Sequence, residues 1–192
     1  MGVWVDEFNK FANFNFEITV LNQTNMAKKK SALQNVCMRL EDATDSLQVI
    51  VVNYESAWRL EREISLINPD LIIADEGHKL KSGTTSQSKC LHRLGDKATY
   101  KLLLTGTVIT NKEIDVFSQY RFLDKTIFGE SFYKFRNYYF IMGGYGNHTP
   151  IFKKDLLDDF LKKMHSVAFR VKDFSLQLHN SILTLFKFLA MP

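Results

Sequence analysis

The chain has 192 residues, of which 45% are hydrophobic and 24% are charged, and its formal net charge is +4. These values are ordinary for a soluble protein with one domain-sized core, and they argue against a disordered or fibrous chain. A small positive charge suits a nucleic-acid partner but does not require one, since many solvated surfaces are equally basic.

Targeting and redox signals are sparse. Cys37 and Cys90 lack metal-type spacing, which favours a reduced, intracellular chain. Asp6 and Glu7 interrupt any apolar run that could serve as a signal peptide. The apolar stretch at 182–191 is too short to span a bilayer and contains a lysine. We therefore expect a cytoplasmic protein with no membrane partner.

Short apolar runs alternate with amphipathic stretches over the first half of the chain. Because strands rich in Val, Ile and Leu that alternate with helices favour a parallel sheet covered on both faces, the sequence predicts an α/β fold. The predicted strands lie at 16–21, 47–52, 70–74 and 100–104. The predicted helices lie at 26–40, 54–66, 84–94, 112–123, 130–139 and 153–165, and Gly143 to Gly146 is expected to be a flexible loop. In the helix at 26–40, Lys28 to Lys30 are expected on the solvated face.

Two carboxylates and a histidine follow the third predicted strand, in the sequence Asp75-Glu76-Gly77-His78. Open α/β sheets bind ligands at the carboxyl ends of their strands. Adjacent Asp-Glu is Walker B chemistry, in which one carboxylate holds Mg²⁺ and the other orients the attacking water. A solvated Asp-Glu turn is the alternative.

The matching phosphate loop, of the form G-x-x-x-x-G-K-[ST], does not occur in the 192 residues, so the chain contains half of an ATP site. A metal hydrolase built from Asp75, Glu76, His78 and His92 is a further alternative, although no H-x-x-x-H or C-x-x-C spacing supports it.

A loop of small hydroxyl residues, Thr105-Gly106-Thr107, follows the fourth predicted strand and precedes Asn111. Such hydroxyls can hydrogen-bond to the acidic site and transmit its state. A plain turn with a threonine N-cap is the alternative interpretation.

The order of the sequence blocks carries a family resemblance over residues 2–172. The blocks are Trp4-x-x-Glu7-x-x-x-Phe11, Val51-Val52-Asn53-Tyr54-Glu55, Asp75-Glu76-Gly77-His78-Lys79-Leu80-Lys81, Leu102-Leu103-Leu104-Thr105-Gly106-Thr107-x-Ile109-x-Asn111, Phe122-Leu123 and Phe169-Arg170-Val171-Lys172. The series resembles the first RecA-like lobe of the Snf-type (Swi/Snf-related) ATP-dependent DNA translocases of helicase superfamily two.

The resemblance implies a RecA-like P-loop NTPase lobe at residues 1–172, followed by a divergent apolar tail at 173–192. It implies ATP and Mg²⁺ as cofactors, with Asp75 holding Mg²⁺ and Glu76 polarising the hydrolytic water. It implies that His78 relays nucleotide state to the loop of Thr105, Gly106 and Thr107. The residues that it implies for DNA contact are Asn53, Tyr54, Lys79, Lys81 and Asn111.

The chain also departs from the family pattern. Gly77 stands where many relatives have Ala or Ser, a change that a loop is expected to tolerate. The Walker A strand and loop are missing, and because that strand is central in RecA-like sheets, we expect an exposed edge or an unfilled gap. At the other end, the pattern is lost from Asp173 onward, and no second lobe with arginine fingers follows.

The predicted parent activity is ATP hydrolysis coupled to movement on DNA, with this chain alone inactive. Three alternatives stay open. In the first, the chain is one piece of a split translocase whose Walker A loop and second RecA-like lobe lie on a separate chain. In the second, it is a non-enzymatic DNA-binding or interaction module. In the third, it is a truncated gene remnant.

Overall fold

The computed structural model describes residues 2–41, 46–106, 108–109, 112–168 and 183–187. Its helices are α1 (Gly2–Phe11), α2 (Met26–Glu41), α3 (Tyr54–Arg59), α4 (Glu61–Ile67), α5 (Ser86–Gly95), α6 (Val116–Leu123), α7 (Lys125–Phe128), α8 (Phe132–Tyr139) and α9 (Leu157–His165). Its strands are β1 (Phe16–Val20), β2 (Leu47–Val52), β3 (Leu71–Ala74), β4 (Tyr100–Leu103), β5 (Phe140–Gly143), β6 (Thr149–Phe152) and β7 (Leu183–Lys187). None of the helices in these ranges is long and apolar enough to cross a membrane.

The main sheet has the order β1-β2-β7-β3-β4. β1 pairs parallel to β2, and β3 pairs parallel to β4, as expected for strands joined by helical crossovers. The predicted α/β class is therefore confirmed. The predicted parallel pairing is present in both of these strand pairs, while β7, which was not predicted, lies antiparallel between β2 and β3.

β7 also removes the gap that we expected in the middle of the sheet. Its residue Leu185 pairs with Ile50 on one side and with Ile72 on the other. A central strand position must satisfy backbone donors and acceptors on both flanking strands, and residues 183–187 do so here. Local sequence patterns could not predict this pairing, since it joins positions more than a hundred residues apart. The predicted division between a lobe at 1–172 and a tail at 173–192 stays a prediction.

Both faces of the sheet are covered, as the alternating side chains of β2 show. Ile50 and Val52 face the core formed with helices α2 to α5. Val49 and Val51 face the opposite side, where Trp4 of α1 packs against them. Because successive residues of a strand point to opposite faces, an uninterrupted apolar run is what a doubly covered strand requires.

The second half of the described chain forms its own aromatic core. The buried members of this core are Val116, Phe117, Tyr120, Phe128, Phe135, Tyr139, Phe140 and Phe160. The three helices predicted here are present in shortened form, while the antiparallel hairpin β5–β6 was missed. The predicted loop Gly143–Gly146 lies at the hairpin's turn, where Gly144 and Gly146 have positive φ angles of 75° and 71°. The hairpin's short strands gave no alternating pattern long enough to detect.

One member of the lysine cluster on α2 departs from its predicted solvated position. Lys29 is buried, and its Nζ donates a hydrogen bond of 2.6 Å to Ser56 Oγ on α3. Lysine can bury its aliphatic stem when the amine reaches a polar partner. Lys28 and Lys30 are exposed as expected, and Lys30 forms an ion pair of 2.9 Å with Glu63.

Interrupting β7 should destabilise the whole sheet. Leu185→Pro removes a backbone N–H from a strand paired on both sides, so we expect the free energy of unfolding to fall by about 1–3 kcal/mol. Leu185→Val keeps the backbone N–H and should therefore be less destabilised than Leu185→Pro. Urea unfolding midpoints, compared at constant m value, measure the difference. Coincident unfolding curves for all three proteins would show that β7 contributes no stability.

Candidate functional site

The predicted acidic turn and the predicted threonine loop meet at the carboxyl ends of β3 and β4. The N–H of Leu104 donates to the carbonyl of Ala74 at 2.9 Å, which extends the β3–β4 ladder by one residue. The N–H of Gly77 then donates to the carbonyl of Leu104 at 2.8 Å. These two hydrogen bonds place the loops side by side, at the edge of the sheet where α/β proteins bind ligands.

Asp75 follows the last residue of β3 and is almost fully buried. Burial raises the pKa of this carboxyl above its ordinary value, the neighbouring Glu76 charge raises it further, and a hydrogen bond from the backbone N–H of Glu76 opposes both effects. That N–H lies 2.9 Å from Asp75 Oδ1. A bound cation would offset the cost of burying this charge, so the oxygen donor fits Mg²⁺.

Glu76 adopts a left-handed backbone conformation, with φ of 51°, which is uncommon for a residue with a side chain. Its Oε2 lies 3.1 Å from Nδ1 of His78, and both side chains are partly exposed. The turn therefore separates its two carboxylates, with Asp75 held in the fold and Glu76 oriented by a histidine at its rim.

Gly77 packs more tightly than its position in a loop suggested. A Cβ atom at this residue would lie 2.2 Å from Cδ2 and 2.3 Å from Cγ of Leu103. A side chain at this position would require Leu103 to move. Glycine fits here without such a shift, and the expectation that the loop tolerates it stays a prediction.

The threonine loop is described in part. Thr105 is half-buried, and Gly106 is exposed with open space around it. Thr107 and Asn111, both predicted site residues, lie outside the described residues, as does the block Phe169-Arg170-Val171-Lys172.

Gln119 was missed from the sequence, although it contacts the threonine loop directly. Its Nε2 donates to the carbonyl of Val108 at 2.7 Å and to the carbonyl of Asp115 at 3.2 Å. The side chain is fully buried on α6. A lone glutamine in an amphipathic helix carries no signal that distinguishes such a contact from a solvated position.

Tyr54 is hydrogen-bonded to the backbone of the acidic turn. Its hydroxyl donates a hydrogen bond of 2.7 Å to the backbone carbonyl of Asp75, and the residue is only 6% exposed. Burial raises the pKa of the Tyr54 hydroxyl, and the charges of Asp75 and Glu76 raise it further. This side chain is enclosed and its hydroxyl is engaged, and its predicted contact with DNA stays a prediction.

The other predicted DNA residues differ in their positions. Asn53 caps helix α3, where its Oδ1 accepts a hydrogen bond of 2.7 Å from the N–H of Ser56. Lys79 and Lys81 are exposed on the turn that follows Glu76. DNA contact by these three residues stays a prediction.

The metal-hydrolase alternative finds no support in the described residues, which contain no group of three or more His, Cys, Asp or Glu that could hold a metal ion. His92 is engaged elsewhere, since its Nε2–H donates to the carbonyl of Ser118 at 2.9 Å. Burial lowers the pKa of this imidazole, which favours the neutral ring.

Comparisons with known proteins agree with this geometry. The family model described as "SNF2-related domain" matches residues 1–168. A DNA repair and recombination protein, RDH54 of Saccharomyces cerevisiae, is 28% identical over 190 residues, which is 95% of this chain and 20% of the relative. RAD54 of Oryza sativa is 31% identical over 140 residues, which is 71% of this chain and 13% of the relative. The chain thus spans about a fifth or less of the length of these relatives.

Among solved structures, the Sulfolobus solfataricus SWI2/SNF2 ATPase core in complex with dsDNA aligns with a TM-score of 0.49 at 26% identity. The alignment covers 71% of this chain and 25% of that chain.

Neutralising Asp75 should stabilise the protein at neutral pH. A carboxyl with a raised pKa in the folded state contributes stability below the ordinary aspartate range, and that contribution is lost as pH rises through the raised pKa. Asp75→Asn keeps the acceptor for the Glu76 N–H and removes the buried charge. We expect it to unfold at higher urea than the wild type at pH 7, with the gap narrowing as pH falls.

The matched control is Asp158→Asn, which removes one negative charge from an exposed position on α9. Urea unfolding of the three proteins across the acidic to neutral range measures the effect. Lower stability of Asp75→Asn at pH 7, or a gap that does not change with pH, would contradict a buried, costly carboxylate.

Proposed function

Because the chain belongs to the SNF2-related family, whose model matches residues 1–168, we propose that it serves as a nucleotide- and DNA-contacting lobe of an ATP-dependent DNA translocase. The Snf-type resemblance of its sequence blocks is confirmed by this membership, and the α/β fold agrees with a RecA-like lobe. The observation that carries the proposal is the pair of backbone hydrogen bonds that joins the Asp75-Glu76 turn to the Thr105 loop.

The family uses nucleotide and Mg²⁺ in general, and we assign the corresponding roles as follows. Asp75 holds the Mg²⁺ that accompanies the nucleotide, and Glu76 orients the water that attacks the terminal phosphate. His78 fixes the Glu76 carboxylate through its 3.1 Å contact. The hydrogen bond from Gly77 to Leu104 gives the acidic turn a direct route to Thr105, Gly106 and Thr107.

We further propose that the chain does not turn over ATP unaided. Its 192 residues contain no sequence of the form G-x-x-x-x-G-K-[ST], whose backbone amides and lysine neutralise the charge that develops during phosphoryl transfer. A phosphate loop and a second lobe would then come from a separate chain.

The cytoplasmic location stays a prediction.

Phosphate release by the purified chain tests this point. We expect the wild type, with Mg²⁺, ATP and duplex DNA, to release phosphate no faster than Glu76→Gln. Turnover by the wild type that Glu76→Gln abolishes would contradict the need for a second chain, while it would support the role of Glu76.

For DNA, we propose that Lys79 and Lys81 contact phosphates next to the acidic turn, since both are exposed there. Replacing both with alanine should weaken duplex binding and reduce the slope of log affinity against log salt by about 2, because each phosphate contact contributes about 0.9. Fluorescence anisotropy over a salt series measures the slope.

The control is the double variant Lys28→Ala and Lys30→Ala, which removes the same charge from exposed positions on α2. Its salt slope should match that of the wild type. Equal loss in both double variants would show that net charge alone governs binding, and would remove the specific role of Lys79 and Lys81.

A non-enzymatic DNA-binding or interaction module is the second candidate, and the absence of a phosphate-loop sequence favours it. The two candidates differ in what Asp75 does. Duplex binding that Asp75→Ala leaves unchanged in the presence and absence of Mg-nucleotide supports the module. A nucleotide-dependent change in DNA affinity that Asp75→Ala abolishes supports the translocase lobe.

A further inference from the structure

Helix α8 exposes aromatic rings and cations on its solvent-facing side. Tyr133 is 68% exposed and Tyr138 is 51% exposed, whereas Phe135 and Tyr139 of the same helix are buried in the aromatic core. The helix sequence, FYKFRNYY, contains two cations and no carboxylate. Tyr133 packs edge-on against Phe132 and Tyr138 against Tyr139, yet each residue keeps more than half of its surface exposed beside these cations.

Each exposed ring has a cation beside it. The guanidinium of Arg136 lies 5.2 Å from the ring centroid of Tyr133. The ammonium of Lys163, on α9, lies 5.5 Å from the ring centroid of Tyr138. These distances fit cation–π contacts, and they hold positive charge at both rings.

Lys153 extends the same surface. Its Nζ donates to the carbonyls of Asn137 at 3.0 Å and Tyr138 at 2.8 Å, and so adds a positive charge at the carboxyl end of α8. Asp159 lies 3.2 Å from Lys163 and offsets part of this charge. We define the tyrosine–cation face as Tyr133, Lys134, Arg136, Tyr138, Lys153 and Lys163.

We propose that the tyrosine–cation face binds single-stranded nucleic acid, with unpaired bases stacking on Tyr133 and Tyr138. Base stacking on exposed rings, combined with phosphate contacts to neighbouring cations, is how proteins bind single strands without sequence preference. A protein surface would also pack against the two rings, and equal binding of the two strands in the test below would favour that occupant. Duplex DNA buries its base faces in the stack and cannot use the rings.

The two rings flank the solvent-facing side of α8. Tyr133 and Tyr138 are five residues apart, which corresponds to about 7–8 Å along the axis and about 140° around it, so a strand that stacks on both rings crosses Lys134 and Asn137 between them. The face belongs to the aromatic core unit and shares no residue with the turn at 75–81, so the proposal does not rest on the proposed nucleotide or duplex contacts.

The test compares two labelled strands that carry the same number of phosphates, a short oligothymidylate and a matching strand without bases. Wild-type protein should bind the oligothymidylate more tightly in fluorescence anisotropy. The double variant Tyr133→Ala and Tyr138→Ala should lose about tenfold or more in affinity for the oligothymidylate and should keep its affinity for the abasic strand. Tyr133→Phe with Tyr138→Phe preserves both rings and should bind like the wild type.

Equal wild-type affinity for the two strands would overturn the proposal, as would unchanged oligothymidylate binding by the alanine pair. Thermal unfolding of the alanine pair should match that of the wild type, since both rings are exposed, and this excludes loss of fold as the cause. Duplex binding by the Lys79→Ala and Lys81→Ala variant, measured in the same series, separates the two proposals. If that variant is impaired while the tyrosine pair is neutral, the duplex contact stands and the tyrosine–cation face does not bind bases.

Discussion

The candidate site depends on the hydrogen bond from the N–H of Gly77 to the carbonyl of Leu104. It forms where the turn after β3 approaches β4 closely, with the Leu103 side chain in the space that a Cβ atom of residue 77 would occupy. Without it, the acidic turn and the threonine loop would be two separate strand ends. With it, the backbone of the acidic turn is joined to the residue that precedes Thr105.

Stability and site chemistry oppose each other at the end of β3. Asp75 is a buried carboxyl whose pKa is raised by desolvation. The fold holds it in place by local bonds to the backbone, including the Tyr54 hydroxyl at the Asp75 carbonyl and the Glu76 N–H at Oδ1. A buried carboxylate of this kind lowers the stability of the protein, and groups with shifted pKa values are concentrated at functional sites. The left-handed φ of Glu76 is a second energetically unfavourable feature of the same turn.

Much of this site could be predicted because its information is local. An apolar run followed by Asp75-Glu76 identifies a strand and the polar end of that strand, and the strands of a parallel pair end at the same edge. Features that depend on partners distant in sequence could not be predicted. Among them are the pairing of β7 with β2 and β3, the burial of Lys29 against Ser56, and the enclosure of Tyr54 against Asp75. A residue type alone does not indicate whether a tyrosine after a strand faces a ligand or the core.

Helix α6 connects the site to the rest of the chain. Its Phe117 and Tyr120 belong to the aromatic core, while Phe122 belongs to the core beneath the sheet. Between them, Ser118 accepts from His92 of α5, and Gln119 holds Val108 of the threonine loop. Because closely packed interiors transmit strain, α6 is the element that links the aromatic core to Val108, the residue after Thr107.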